Sequence, residues 1–170
     1  MNIRKHLTGQ QTKRKSMDVV EYVVAEPSAI EELMECFFDD EFRVCQYAAW
    51  PVGILGEKHP EIILPYLHKM ISNLDNPKHD AVVRNTIRTL QYIDVPEELE
   101  GEVYDRCFNY LVSPGSPVAV KVFSMSVLAK IAMKIPELKE ELIIAIEDYK
   151  PMGTAGYQSR ARRVIKMLQS

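Results

Sequence analysis

From Met17 onward the large apolar residues recur every three or four positions almost without a break, and the period-two alternation of an exposed strand never persists. That spacing places the apolar side chains on one stripe of a helix, so the chain is predicted to be all-α. Four runs define one set of helices: Ile30, Leu33, Met34, Phe37; Ile63, Leu67, Met70, Leu74; Leu99, Val103, Cys107, Leu111; and Leu138, Leu142, Ile146, Tyr149. Each is followed by a second run, in order Val44, Ala48, Val52, Leu55; Val83, Ile87, Leu90, Ile93; Val120, Phe123, Val127, Ile131; and Tyr157, Ala161, Val164, Leu168. The turns between them are rich in Asp, Asn, Pro and Gly: Asp39-Asp40, Asp75-Asn76-Pro77-Lys78, Ser113-Pro114-Gly115-Ser116-Pro117 and Pro151-Met152-Gly153-Thr154. Val19, Val20, Val23 and Val24 add one more helix in front, at about residues 16 to 25.

The ten prolines fit this reading because most fall where a helix begins, at the position whose amide has no intrahelical partner. Pro27, Pro60, Pro96 and Pro136 each open an apolar run, and Glu61, Glu97, Glu98 and Glu137 place acids in three of the first turns, where the helix dipole favours them. Pro51 is the exception. It sits between Trp50 and Val52 inside a second-set run and is expected to kink or shorten that helix.

The pattern is one helix pair repeated four times. A basic residue marks the start of each second helix at Arg43, Arg84, Lys121 and Arg162, at intervals of 41, 37 and 41 residues, which suits a two-helix solenoid repeat. The stretch from Ile62 to Ile93, IILPYLHKMISNLDNPKHDAVVRNTIRTLQYI, resembles a HEAT repeat: Pro65 lies within the first helix, Asp75 and Pro77 in the turn, and Val83-Arg84 open the second helix. The first unit has Asp39, Asp40, Arg43 and Val44, the third Val120-Lys121, and the fourth Arg162 after a longer loop, so the likeness extends over roughly residues 27 to 169. It implies an armadillo-like, right-handed α-α superhelix of about four HEAT-like pairs plus the N-terminal helix, with the second helices lining a concave side. Residues 16–170 are then a single solenoid domain, and residues 1–15, with five cations, no acid and few large aliphatics, read as a mobile basic tail.

Composition adds the location. The chain has 170 residues and a formal charge of −3, and three cysteines make no disulfide framework, which fits a reducing cytoplasm. The first twenty residues lack the apolar core of a secretory signal and no stretch approaches a membrane span, so neither export nor a membrane role is expected.

Sorting charge by helix set changes the picture more. The first helices carry −3, 0, −4 and −3, or −10 together, and the second helices carry −1, +1, +3 and +4, or +7 together. A near-neutral total thus conceals a bipolar surface whose basic side strengthens toward the C-terminus. Candidate binding residues on a basic concave face are Arg84, Arg88, Lys121, Lys130, Arg160, Arg163 and Lys166, with Trp50, Gln91 and Tyr92 as aromatic or polar contacts. The resemblance offers a second use for Arg43, Arg84, Lys121 and Arg162, as the internal ladder that HEAT arrays form with turn aspartates.

Catalytic chemistry lacks its residues. His6, His59, His68 and His79 do not pair at metal spacing, and neither a phosphate-cradling glycine loop nor a nucleophile elbow is present. The expectation is a non-enzymatic scaffold without cofactor, metal or catalytic residue, binding an acidic protein partner through the basic face. The alternative is a nucleic-acid-binding protein similar to the HEAT-like DNA alkylation-repair glycosylases. Those enzymes set a catalytic aspartate beside groove tryptophans, whereas here Trp50 is the single tryptophan and the nearest groove-side acid, Asp94, reads as a helix C-terminal turn residue before Val95-Pro96, so glycosylase activity is not expected. Oligomeric state and partner identity are left open by the sequence.

Overall fold

A computed structural model describes residues 1–170, and the chain is helical from end to end with no strand. It divides into two compact units, Met1–Ile93 and Asp94–Ser170, where the sequence suggested one domain beginning at residue 16. The first unit holds α1 (Ile3–Leu7), α2 (Lys13–Ala25), α3 (Ile30–Phe37), α4 (Phe42–Lys58), α5 (Pro60–Ile63), α6 (Leu67–Ser72) and α7 (Asp80–Leu90). The second holds α8 (Glu97–Val112), α9 (Val118–Lys134), α10 (Lys139–Tyr149) and α11 (Ala155–Gln169). The four expected pairs are α3 with α4, α5 and α6 with α7, α8 with α9, and α10 with α11.

Prolines punctuate these helices as anticipated. Pro60 is the first residue of α5, Pro27 and Pro136 begin the short 3-10 turns that lead into α3 and α10, and Pro96 and Pro117 cap α8 and α9 from one residue outside. Pro65 falls in the 3-10 segment Leu64–Tyr66 that joins α5 to α6, where its missing N–H costs an α-helix one rung but a tighter turn nothing.

The N-terminal residues are not the mobile tail that their composition suggests. The Asn2 side chain accepts from the Lys5 amide at 2.7 Å and starts α1, whose Ile3 and Leu7, one turn apart, are 0% and 2% exposed. Helix α1 packs on α2, α3 and α4, and the Arg4 guanidinium bonds the Asp39 carboxylate at 2.5 Å. Gly9 turns the chain at φ +80°, a conformation that suits glycine, and the Thr12 hydroxyl caps α2 by accepting from the Lys15 amide. Composition misleads here because two aliphatics suffice when both are fully used, and because the acids that balance Arg4 come from residues 39 and 41.

Pro51 does not break its helix either. Helix α4 runs unbroken from Phe42 to Lys58, and Pro51 is buried. A proline at this position deprives the carbonyl four residues earlier, that of Tyr47, of its amide donor. Gln11, from the segment between α1 and α2, supplies the substitute: its Nε2 donates to the Tyr47 carbonyl at 3.2 Å and to the Ser16 hydroxyl at 2.9 Å. Further along, Gly53 and Gly56 of α4 lie against Asn85 and Thr89 of α7 so closely that a Cβ at either glycine would overlap the facing side chain.

In the second unit α9 is the central helix, packed on α8, α10 and α11 and buried on most of its circumference. Val127, Leu128 and Ile131 of α9, Val103, Cys107 and Leu111 of α8, Leu142 and Ile146 of α10, and the stripe Tyr157, Ala161, Val164, Leu168 of α11 are all buried, on helices that pack against α9. The hydroxyl of the fully buried Tyr157 donates to the Ile146 carbonyl at 3.2 Å, and its ring meets Tyr149 edge-on, which fixes α11 on α10.

Candidate functional site

The positions expected to form a basic face differ sharply in how free their charges are. In the first unit Arg84 is exposed on α7 and makes no ion pair, whereas Arg88, one turn later, is bonded to Glu57 of α4. Gln91 follows the last turn of α7, its Nε2 donating to the Arg88 carbonyl at 3.2 Å. Tyr92 and Trp50 are 46% and 37% exposed, on the segment after α7 and on α4 respectively.

In the second unit Lys121 leaves the surface altogether. It is 0% exposed, and its Nζ donates to the carbonyls of Leu111 and Ser113, each at 2.6 Å, at the C-terminal end of α8, with the Tyr149 ring 4.5 Å away. A cation at a helix C-terminus satisfies carbonyls that have no intrahelical donor and complements the dipole. Burial still pulls its ammonium below the ordinary lysine range, since no carboxylate shares the site. Lys121 is therefore a clamp between α8, α9 and α10 and is corrected from binding residue to structural residue.

Two further cations are partly committed. Lys130 is half-buried on α9, where desolvation lowers its pKa and the Asp94 carboxylate partly opposes the shift. Arg160 is half-buried and its Nη1 bonds the Ser126 hydroxyl of α9.

That leaves α11. Arg163 and Lys166 are exposed and take part in no ion pair, and Arg162, which the sequence assigned only to a ladder, is exposed and unpaired beside them. At 100° per residue these three positions, with Ser159, cover the side of α11 opposite its buried stripe. Helix α11 contains four cations and no acid, so no carboxylate on its own element offsets the strip.

The ladder itself is absent. Asp39 pairs with Arg4 and Asp40 with Lys78 at 2.8 Å, while Arg43 lies over the Phe42 ring and Arg84 and Arg162 point to solvent. The acids of the first-set helices are treated differently. Glu100 of α8 is 7% exposed and is held by Lys134 of α9 at 2.5 Å, whereas Glu141 and Asp148 of α10 are exposed and in no ion pair.

No group of three or more His, Cys, Asp or Glu residues is placed to hold a metal ion, and Cys36, Cys45 and Cys107 are free, buried thiols. Burial pushes Cys107 up to about 12 and Cys36 to about 11, which keeps both as thiols rather than nucleophilic thiolates. No helix is long and apolar enough to cross a membrane.

A family model described as a HEAT repeat domain matches residues 3–168, nearly the whole chain and including the N-terminal helices. No curated protein and no solved structure matches. The likeness to the alkylation-repair glycosylases is thus without support from a relative.

Proposed function

The chain belongs to the HEAT repeat family, and we propose that it is a non-enzymatic scaffold that binds an acidic protein segment through the outer face of α11. HEAT repeats in general mediate protein interactions, and the choice of surface and partner charge is specific to this chain. The observation that carries it is the strip Arg162, Arg163 and Lys166: exposed, without ion pairs, and on a helix with no acid. Every other candidate cation is buried, bonded or half-buried except Arg84, which stands alone on α7.

The physics favours a multivalent anionic partner. A single exposed ion pair contributes about 0–1 kcal/mol, so one carboxylate would bind negligibly. Three adjacent cations, two of them guanidinium forks suited to bidentate carboxylate contact, act together on a run of Asp or Glu. A duplex is the weaker candidate, because the protein's net charge is −3 and its pI about 5.8, and its overall field does not draw in a polyanion of that charge density. Three buried thiols support a reducing, cytoplasmic setting as part of the same proposal.

The test is fluorescence anisotropy with a labelled oligoglutamate peptide and, separately, a labelled random-sequence DNA duplex, at about 50 and 200 mM salt. The expected result is peptide binding that weakens with salt and is lost in the variant Arg162→Glu, Arg163→Glu, Lys166→Glu. Duplex binding about tenfold tighter than peptide binding, or a variant that binds the peptide unchanged, would overturn the reading.

A further inference from the structure

The opposite charge belt of the second unit frames a second surface. Between α8 and α10 lies an open cavity of about 720 Å³, lined by Phe108 and Val112 from α8, Ile144 from α10, and Met152 from the turn that follows. Val112, Ile144 and Met152 are 47%, 55% and 71% exposed. Isolated surface hydrophobics are ordinary, but large apolar side chains converging on one concavity mark a place where something docks. Ile144 shows why packing does not account for it. The core stripe of α10 is Leu142 and Ile146, and Ile144, two residues from each, lies on the other side of the helix.

The rim supplies the identity of the occupant. Glu141 and Asp148 line the same cavity, one turn before and one turn after Ile144 and Ala145 on the same face of α10. Neither carboxylate has an ion-pair partner, although the adjacent Glu147 is bonded to Lys150 at 2.9 Å. Seven residues of helix separate the two acids, about 10 Å along the axis.

We propose that this groove receives an amphipathic, basic α-helix of a partner protein, which places large apolar side chains against Phe108, Val112, Ile144 and Met152 and a Lys or Arg beside each of Glu141 and Asp148. A helix laid along α10 meets those carboxylates with cations seven residues apart, bracketing apolar residues three or four positions in from either end. Lysine and arginine stems extend the apolar contact before reaching the acids, and the unbranched Met152 adapts to the shape of what it covers. An acidic or neutral helix of equal hydrophobicity is disfavoured, since it would bury Glu141 and Asp148 beside like or missing charge. This surface is independent of the α11 strip, and the two together would let one chain hold partners of opposite charge.

The test uses the full chain and a displayed library of helical peptides, randomised on one face, selected on wild type and counter-selected on Ile144→Glu. That substitution lies at an exposed position, and far-UV circular dichroism checks that the variant stays folded. Enriched peptides are expected to carry Lys or Arg seven residues apart around large apolar residues, and to bind wild type at least about tenfold more tightly than Glu141→Lys, Asp148→Lys in anisotropy titrations. The same peptides with both cations changed to Glu should reverse the preference and favour that double variant. No enrichment over Ile144→Glu, enriched sequences without the paired cations, or sedimentation showing that wild type self-associates through this face would each overturn the proposal.

Discussion

Replacing Gln11 by alanine tests whether the N-terminal segment repairs the helix that Pro51 should have broken. The substitution removes the donor to the Tyr47 carbonyl, the acceptor that Pro51 cannot serve. An intramolecular hydrogen bond contributes about 0.5–1.5 kcal/mol net, and an acceptor left unpaired in a buried setting costs about 1–3 kcal/mol. The bond is only partly buried, so the expected loss is about 1–2 kcal/mol, or a Tm lower by roughly 2–8 °C in a protein of this size. That figure alone would not identify the cause, because Gln11 also donates to the buried Ser16 hydroxyl. A double-mutant cycle with Pro51→Ala separates the two contributions. Alanine restores an amide at position 51 that can serve Tyr47, while the Ser16 contact is common to both backgrounds and cancels. Gln11→Ala should therefore cost about 1 kcal/mol less in the Pro51→Ala background, measured by urea unfolding followed by circular dichroism. Equal costs in the two backgrounds, within about 0.5 kcal/mol, would refute the explanation.

Two other consequences concern the second unit. Lys121→Ala strips two carbonyls at the end of α8 of their donor and empties the space of a fully buried side chain, so unfolding should become easier by about 2–4 kcal/mol; an unchanged urea midpoint would show the clamp to be idle. Alkali should weaken the native state from about pH 9 upward: burial raises Cys36 to about 11 and Cys107, Tyr104 and Tyr157 to about 12, above their ordinary values of 9.0 and 10.0. The folded chain then holds more protons than the unfolded one across that window, so stability present below it is lost as pH rises through it. The lowered Lys121 and Lys130 act in the other sense, but as two groups against these four. A urea midpoint that stays level or climbs between about pH 8 and 10.5 would contradict this.

The helix pairs were legible because each element is long enough for its apolar spacing to repeat, and because the prolines fall where helices start. What escaped the sequence depended on partners distant along the chain. Ile3 and Leu7 read as too few to order a segment until α3 and α4 provide the surface that covers them. Pro51 read as a break because its remedy, Gln11, lies forty residues earlier. Lys121 carried a usable signal: it shares a stripe with Met125 and Leu128, at steps of four and three, and a lysine on the buried stripe of a helix is placed to reach another element's carbonyls. Its position also matches the repeat's ladder cation, as does that of Arg162, which is exposed and without an ion pair. Ile144 was visible as an apolar residue out of step with Leu142 and Ile146, but an out-of-step residue becomes a groove only when α8 brings Phe108 and Val112 beside it. The sequence located the charge asymmetry by helix set, whereas which cations stay unpaired depended on tertiary contacts such as Glu57 with Arg88 and Ser126 with Arg160.

Whether α11 is where an acidic partner binds can be read from amide chemical shifts of the isotopically labelled chain during titration with oligoglutamate. Shifts and broadening should concentrate in residues 159–169, around Arg162, Arg163 and Lys166, and should vanish when those three are glutamates. Shifts centred on Arg84 of α7, or the same shifts in the charge-reversed chain, would contradict it.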